Sequence, residues 1–260
     1  MYEVAAIRYG TRMTSKRECY YRWDSYGEPD ALLRMDYFFW LLRNEARTIV
    51  VDTGFEPTVG ERRGRECLCP PPDALRRVGV EPESVRTLVL THLHYDHTGN
   101  VDAFPNAEIL VPRSELEFWS GPEARHAQFA AVVEPAEIDV IVAAQREGRV
   151  RLLDGDGEIA PGVSAICVGG HSPGQTVLVV DAESGPAVVA SDAAHYYEEL
   201  ELERPFEILV DLREMYAAYG TVKELAAQPG AALAVGHDPE VMDRFPALDA
   251  DTAGLAVRIA

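Results

Sequence analysis

Cysteine is sparse in this chain, basic charge is outnumbered, and no apolar run is long. The four cysteines, Cys19, Cys67, Cys69 and Cys167, are scattered over 260 residues. That rules out the disulfide framework of a small secreted domain. Cys67 and Cys69 form a C-x-C ahead of a proline run, but no second thiol pair completes a metal site, so they read as reduced thiols in a loop. Lys and Arg number 24 against 43 Asp and Glu, a net charge of −19. Such a balance opposes binding to a phosphate backbone, so no nucleic-acid partner is expected. It favours small neutral or weakly charged substrates, because a negative field slows polyanions. The longest apolar stretches, "YFFWLL" and "TVLVV", fall far short of the roughly 20 residues that cross a bilayer. "MYEVAAIRYGTRM" lacks the basic and then apolar segments of an export signal. A cytoplasmic protein without membrane association is therefore expected.

What is present suits a folded enzyme. With 47% apolar and 26% charged residues, the chain has material for a substantial core. "EVAAIRYG" reads as a strand, and the aromatic-rich stretch 15–31 reads as a loop. "MDYFFWLLRNEARTIVVDTGF" reads as a hairpin whose strands are buried on both faces. A short helix over "DALRRVGV" with Asp73 as N-cap precedes the strands "SVRTLVL" and "AEILVP". Helical spacing follows around "SELEFWSG" and in "PAEIDVIVAAQREG", where Ile138, Ile141 and Val142 share a face. Beyond residue 149 come the strands "RVRLL", "GVSAICV", "QTVLVVDA" and "AVVASDA", then the amphipathic helix "DLREMYAAYGTVKELAAQ" and the strand "AALAVGH". "DGDGE" is a turn, lacking the spacing of a calcium loop. No linker divides residues 1–260, so one domain is expected, two sheets with helices outside.

The histidines are distributed in a way that folding alone does not explain. Three of the seven lie in "HLHYDH" at 92–97, directly after an apolar run. His171, His195 and His237 each follow a strand, and only His126 lies in a helical stretch, as a surface residue. Strand ends are where rigid scaffolds carry their sites. In extended chain His92 and His94 point to one side. A turn after them brings Asp96 and His97 to a neighbouring point, so one segment can supply two ligands to each of two cations. Imidazole nitrogens with carboxylate oxygens suit zinc and other borderline divalent ions.

"HLHYDH" resembles the His-x-His-x-Asp-His signature of the metallo-β-lactamase superfamily. "VDTG" at 51–54, "GGHSPGQ" at 169–175, "SDA" at 191–193 and "GHD" at 236–238 are similar to its other motifs, in the same order. The resemblance implies an α/β fold, an αββα sandwich of two mixed sheets with flanking helices. It implies that His92, His94 and His171 hold one metal, that Asp96, His97 and His237 hold the second, and that Asp192 bridges them. Asp52 is then expected to hydrogen-bond a ligand and fix its orientation. Zinc is the expected ion, with iron, cobalt and manganese as alternatives.

Paired cations lower the pKa of a shared water and polarise a carbonyl, so hydrolysis is the expected chemistry. Within the superfamily the chain looks most like the N-acyl-homoserine lactonases and related small-lactone hydrolases, in its length, in "THLHYDHTGN" and in the Asp-Ala-Ala at 192–194. By that resemblance a bridging hydroxide opens the lactone ester, Asp96 passes a proton to the departing alkoxide, and Tyr95 faces the substrate. Those lactonases carry a tyrosine three residues after the bridging aspartate. Here that position is His195, so either His195 donates to the substrate carbonyl or Tyr196 or Tyr197 swings in. Tyr20, Tyr21, Trp23 and Tyr26 either line an acyl pocket or simply pack. The expected partner is a small lactone or ester, and a homodimer is the candidate assembly. The alternatives are a thioesterase of the glyoxalase II kind, for which no Lys/Arg cluster stands near the motifs, a nuclease of the RNase Z kind, disfavoured by the charge, and a redox protein of the flavodiiron or persulfide dioxygenase kind.

Overall fold

The apolar run through Tyr37–Leu42 is continuous because both faces of its strand are covered. Tyr37, Phe39 and Leu41 enter one buried cluster, while Phe38, Trp40 and Leu42 enter another. Side chains alternate across a strand, so only a sheet with protein on both sides asks for such a run. The computed structural model describes residues 1–260. Its strands are β1 (Glu3–Ser15), β2 (Leu32–Arg43), β3 (Thr48–Val51), β4 (Glu66–Cys67), β5 (Thr87–Val89), β6 (Glu108–Pro112), β7 (Val150–Leu153), β8 (Gly157–Ala160), β9 (Val163–Cys167), β10 (Thr176–Ala182), β11 (Gly185–Ser191), β12 (Ala232–Val235) and β13 (Ala256–Arg258).

One sheet runs β13-β1-β2-β3-β5-β6-β7, with β4 paired to β1, and the other runs β12-β11-β10-β9-β8. Both mix parallel and antiparallel ladders: β3, β5, β6 and β7 are parallel, as are β11 and β12. Valines of β10 and β11 meet Val4, Ala6, Phe38 and Trp40 of the first sheet in the core between the sheets. Helix Leu212–Ala226 covers the outside of the second sheet with Met215, Tyr219 and Val222. Helix Pro135–Arg146 covers the first, burying Ile138 and Ile141. The architecture is the αββα sandwich anticipated from the motifs. No helix is long and apolar enough to cross a membrane.

Local departures have local causes. Asp73 does not cap its helix. The helix spans Pro71–Arg77, proline at its first positions, and Asp73 pairs instead with Arg76. The first strand runs on to Ser15, and the aromatic loop behind it contains helical turns at Lys16–Cys19 and Trp23–Tyr26. Tyr20 and Trp23 are buried and stacked 5.6 Å apart, and neither lines the cavity at the histidine cluster. His126 is exposed at a junction of short helices. Val142 is only partly buried beside its two isoleucine neighbours. Phe39 is 1% exposed at the centre of its cluster. Phe39→Ala should lower the unfolding free energy by about 3–5 kcal/mol, read from a denaturant titration.

Candidate metal centre

The site residues all follow the C-terminal ends of strands. Asp52 follows β3, the 92–97 segment follows β5, His171 follows β9, Asp192 follows β11 and His237 follows β12. Two of these ends turn sharply, with Asp52 at φ 62° and Ser191 at φ 46°. Left-handed backbone at non-glycine residues persists only where surroundings fix it. Hydrogen bonds do that here. Asp52 accepts from the Thr91 amide at 2.8 Å and the Thr91 hydroxyl at 2.8 Å, and its Oδ2 lies 2.8 Å from His97 Nδ1. The Ser191 hydroxyl lies 2.9 Å from that of Thr91. Gly236 is required by close approach, since a Cβ there would stand 2.5 Å from Asp192 Oδ1.

The side chains converge in buried space. Asp192 Oδ2 lies 3.2 Å from His237 Nε2, 3.3 Å from His195 Nε2, 3.4 Å from His171 Nε2 and 3.8 Å from His92 Nε2. His97 Nε2 lies 3.5 Å from Asp192 Oδ1 and 3.9 Å from Asp96 Oδ1. His94 Nδ1 lies 2.9 Å from His171 Nε2. Four groupings can each hold an ion: His92 with His94 and His171, Asp96 with His97 and His237, His92 with His97 and Asp192, and His171 with Asp192 and His195. The first two are the two ligand triads that the motif order implied. The fourth adds His195.

The donor set fits divalent metal. Nε2 of His92, His94 and His97, and Oδ1 of Asp192, are buried without any hydrogen-bond partner. Orphaned polar atoms of this kind need an explanation, and a cation shared among them supplies it. Burial holds His92 and His171 well below the usual imidazole range and pulls His94 down to about 3. Neutral imidazoles are the ligating form. Burial also pulls on His195, but Glu199 and Asp192 outweigh it and push that imidazole up to about 9.

The far sides of three more rings are tied down. His171 Nδ1 lies 2.9 Å from the Ile208 carbonyl, and His237 Nδ1 lies 2.9 Å from the Asp36 carbonyl. His195 Nδ1 lies 3.2 Å from Glu199 Oε2. Buried Glu199 also accepts from the amides of His195 and Phe206 and from the Tyr219 hydroxyl. Buried Glu115 accepts from the amides of Leu93 and Gly174, the Ser172 hydroxyl and the Trp119 indole. Neither glutamate was foreseen. Each sits in a helical segment among other acidic residues, and only an acid on a buried helix face could have flagged it.

A narrow cavity of about 40 Å³ opens onto this cluster. Tyr95 lines it, its hydroxyl 2.9 Å from Arg65 Nε. Tyr196 does not. Its ring is buried beside Tyr20, and its hydroxyl donates to the Arg34 carbonyl at 3.3 Å. Tyr197 bonds the Leu233 carbonyl on the other side. The positions after His195 enter a helix at Tyr197–Leu202, whose first turn carries both tyrosines off the cavity. The ring facing Asp192 is that of His195, stacked on Phe206 at 3.7 Å.

Comparison with known proteins agrees with this geometry. The profile of the metallo-beta-lactamase superfamily matches residues 36–250. An N-acyl homoserine lactonase of a Bacillus sp is 30% identical over 227 residues, covering 82% of this chain and 85% of its own. A crystal structure of a quorum-quenching N-acyl homoserine lactone lactonase superposes with a TM-score of 0.75 at 26% identity, covering 95% of this chain and 96% of that one. An N-acyl homoserine lactone hydrolase, with the product N-hexanoyl-L-homoserine at its catalytic metal centre, superposes with a TM-score of 0.74 at 25% identity, covering 95% and 97%.

Two variants probe the supports. Asp52→Ala removes the acceptor of His97 Nδ1 and should weaken metal binding about 10–100-fold in a chelator competition. Glu137 is half-buried and accepts from the Thr98 hydroxyl, and burial pushes its carboxyl from 4.5 up to about 8. Below pH 4.5 both the folded and unfolded chains hold that proton, so nothing is lost. Between 4.5 and 8 the unfolded chain releases it first, and stability falls. Glu137→Gln should therefore melt higher than wild type at pH 8 and equally at pH 4.

Proposed function

The chain belongs to the metallo-β-lactamase superfamily, in its N-acyl homoserine lactonase branch, and on that premise we propose that it is a metal-dependent hydrolase opening the ester ring of a small lactone, with N-acyl homoserine lactones as the first class to test. The observation that carries this is the crowding of five imidazoles around Asp192, with Nε2 of His92, His94 and His97 left unpartnered. His92, His94 and His171 would hold one divalent ion, Asp96, His97 and His237 the other, and Asp192 both. The nitrogen and oxygen donors suit zinc. When bound, such a pair supplies a nucleophile from water near neutral pH and polarises an ester carbonyl.

The protein's own groups do the rest. Asp96 borders the cavity at 9% exposure, close enough to both His97 and His237 to take and return a proton at the reacting oxygen. His195 presents Nε2 to the cavity, held by Glu199 behind and Phe206 alongside, where it can donate to the carbonyl oxygen. Tyr95, fixed by Arg65, limits where the substrate can lie. Ligands come from both sheets, so residues 1–260 act as one catalytic domain. Four free cysteines suit a reducing cytoplasm.

The test is a pH-stat assay of the metal-loaded protein with N-hexanoyl homoserine lactone, alongside metal analysis. Ring opening with about two ions per chain is expected. A protein that binds one ion, or that hydrolyses no lactone, overturns the assignment. His195→Ala should cut turnover about 10²–10³-fold with metal content retained. Loss of metal in that variant would make His195 a ligand instead of a donor.

A further inference from the structure

Two arginines reach the same cavity from a region that supplies no metal-site residue. Arg12, near the end of β1, and Arg65, just before β4, line it beside His94, His195 and His237. β1 and β4 pair Gly10 with Cys67 and Thr11 with Glu66. The next step of that ladder sets Arg12 opposite Arg65. Like charges at opposed cross-strand positions repel, so this juxtaposition needs a counter-charge.

Asp96 acts on Arg65 from across the cavity, but the metal site already claims that carboxylate. No carboxylate lies within 4.0 Å of either guanidinium. Every other arginine that is not fully exposed has such a partner: Arg8 pairs with Asp36, Arg43 with Glu3, Arg63 with Glu134, Arg149 with Glu147, Arg151 with Glu108 and Arg204 with Glu28. Arg65 is partly occupied, donating to the Tyr95 hydroxyl and the Arg63 carbonyl. Arg12 is not, and its Nε is buried with no hydrogen-bond partner. Arg8 and Arg151 also bury an unpartnered Nε, but each of those has a carboxylate close by and Arg12 has none. In a chain of net charge −19, an acid could readily have stood beside it.

We propose that Arg12 and Arg65 form an anion-binding subsite, and that the preferred substrate is a lactone or ester carrying a carboxylate on the side of the cavity nearest β1 and β4. This rests on the hydrolase assignment and narrows it. A guanidinium presents parallel N–H donors that match a carboxylate in two-point contact, with short, charge-assisted bonds. The carboxylate anchors one end of a small substrate while its ester carbonyl faces Asp192 and His195 at the other. A neutral acyl amide would engage a donor or two and leave both charges unmatched.

The experiment compares kcat and KM of the metal-loaded full chain for γ-butyrolactone, N-hexanoyl homoserine lactone and 5-oxotetrahydrofuran-2-carboxylate. The carboxylated lactone should exceed γ-butyrolactone in kcat/KM by at least ~10-fold. Arg12→Gln should bring that ratio close to one, mainly by raising KM for the carboxylated lactone, and Arg12→Lys, which keeps the charge but loses the fork, should retain part of it. Equal kcat/KM for the two simple lactones in the wild type, or an unchanged ratio in Arg12→Gln and Arg65→Gln, overturns the subsite. Calorimetry with glutarate, a dicarboxylate that cannot be hydrolysed, separates this from the reaction itself. Glutarate binding that weakens at least ~10-fold in Arg12→Gln supports the subsite even if no lactone is turned over, a result that would sink the hydrolase assignment alone. Equal glutarate binding in both proteins overturns the subsite even if lactones are hydrolysed.

Discussion

The arrangement of this molecule follows from burying Asp192 among imidazoles whose lone pairs face one another. A carboxylate taken out of water costs several kcal/mol unless something compensates it. Here burial would raise its carboxyl, and the surrounding His237, His97 and His195 hold it well below the usual range instead. Cations placed among these atoms would convert mutual repulsion of lone pairs into ligation. Much of the nearby hydrogen bonding acts on the opposite edge of each ring, through Asp52, the Ile208 and Asp36 carbonyls and Glu199. The inner edges are thereby left free and pointed at the same small volume.

The metal centre was legible because its chemistry is concentrated in sequence. Histidines at 92, 94 and 97 cannot be mistaken for core filler, and His171, His195 and His237 each follow an apolar run that reads as a strand. The sandwich was legible from the same runs, since Tyr37–Leu42 has to be covered on both faces. What the sequence hid were residues whose role comes from partners far along the chain. Glu115 sits in a helix that reads as ordinary until Ser172 and Gly174 are brought against it. Arg12 and Arg65 are separated by 52 positions of chain and meet only through the β1–β4 ladder. Tyr196 was misplaced for the reverse reason. Adjacent residues at a strand-to-helix junction point in different directions, and nearness in sequence to Asp192 carried His195 to the cavity but not its neighbour.

Net charge says little about the field inside a cavity. A total of −19 describes the envelope, and at ordinary ionic strength a surface charge is screened within roughly 8–10 Å. Inside a narrow cavity the lining groups decide, and here Arg12 and Arg65 stand beside Asp96 and Asp192. The supports of the metal cluster lie behind the rings, while His195 and the two arginines face the space a substrate would enter.

Glu115 has a consequence for how the chain is made. Its carboxylate gathers donors from residues 93, 119, 172 and 174, which belong to opposite halves of the sandwich. A nascent chain paused on the ribosome before residue 172 emerges holds this acid with half its donors still unsynthesised. At that stage only water can take the place of the missing Ser172 and Gly174 donors. The histidine segment, whose Leu93 amide donates to that acid, thus depends on the second half for two of the four bonds that fix its anchor.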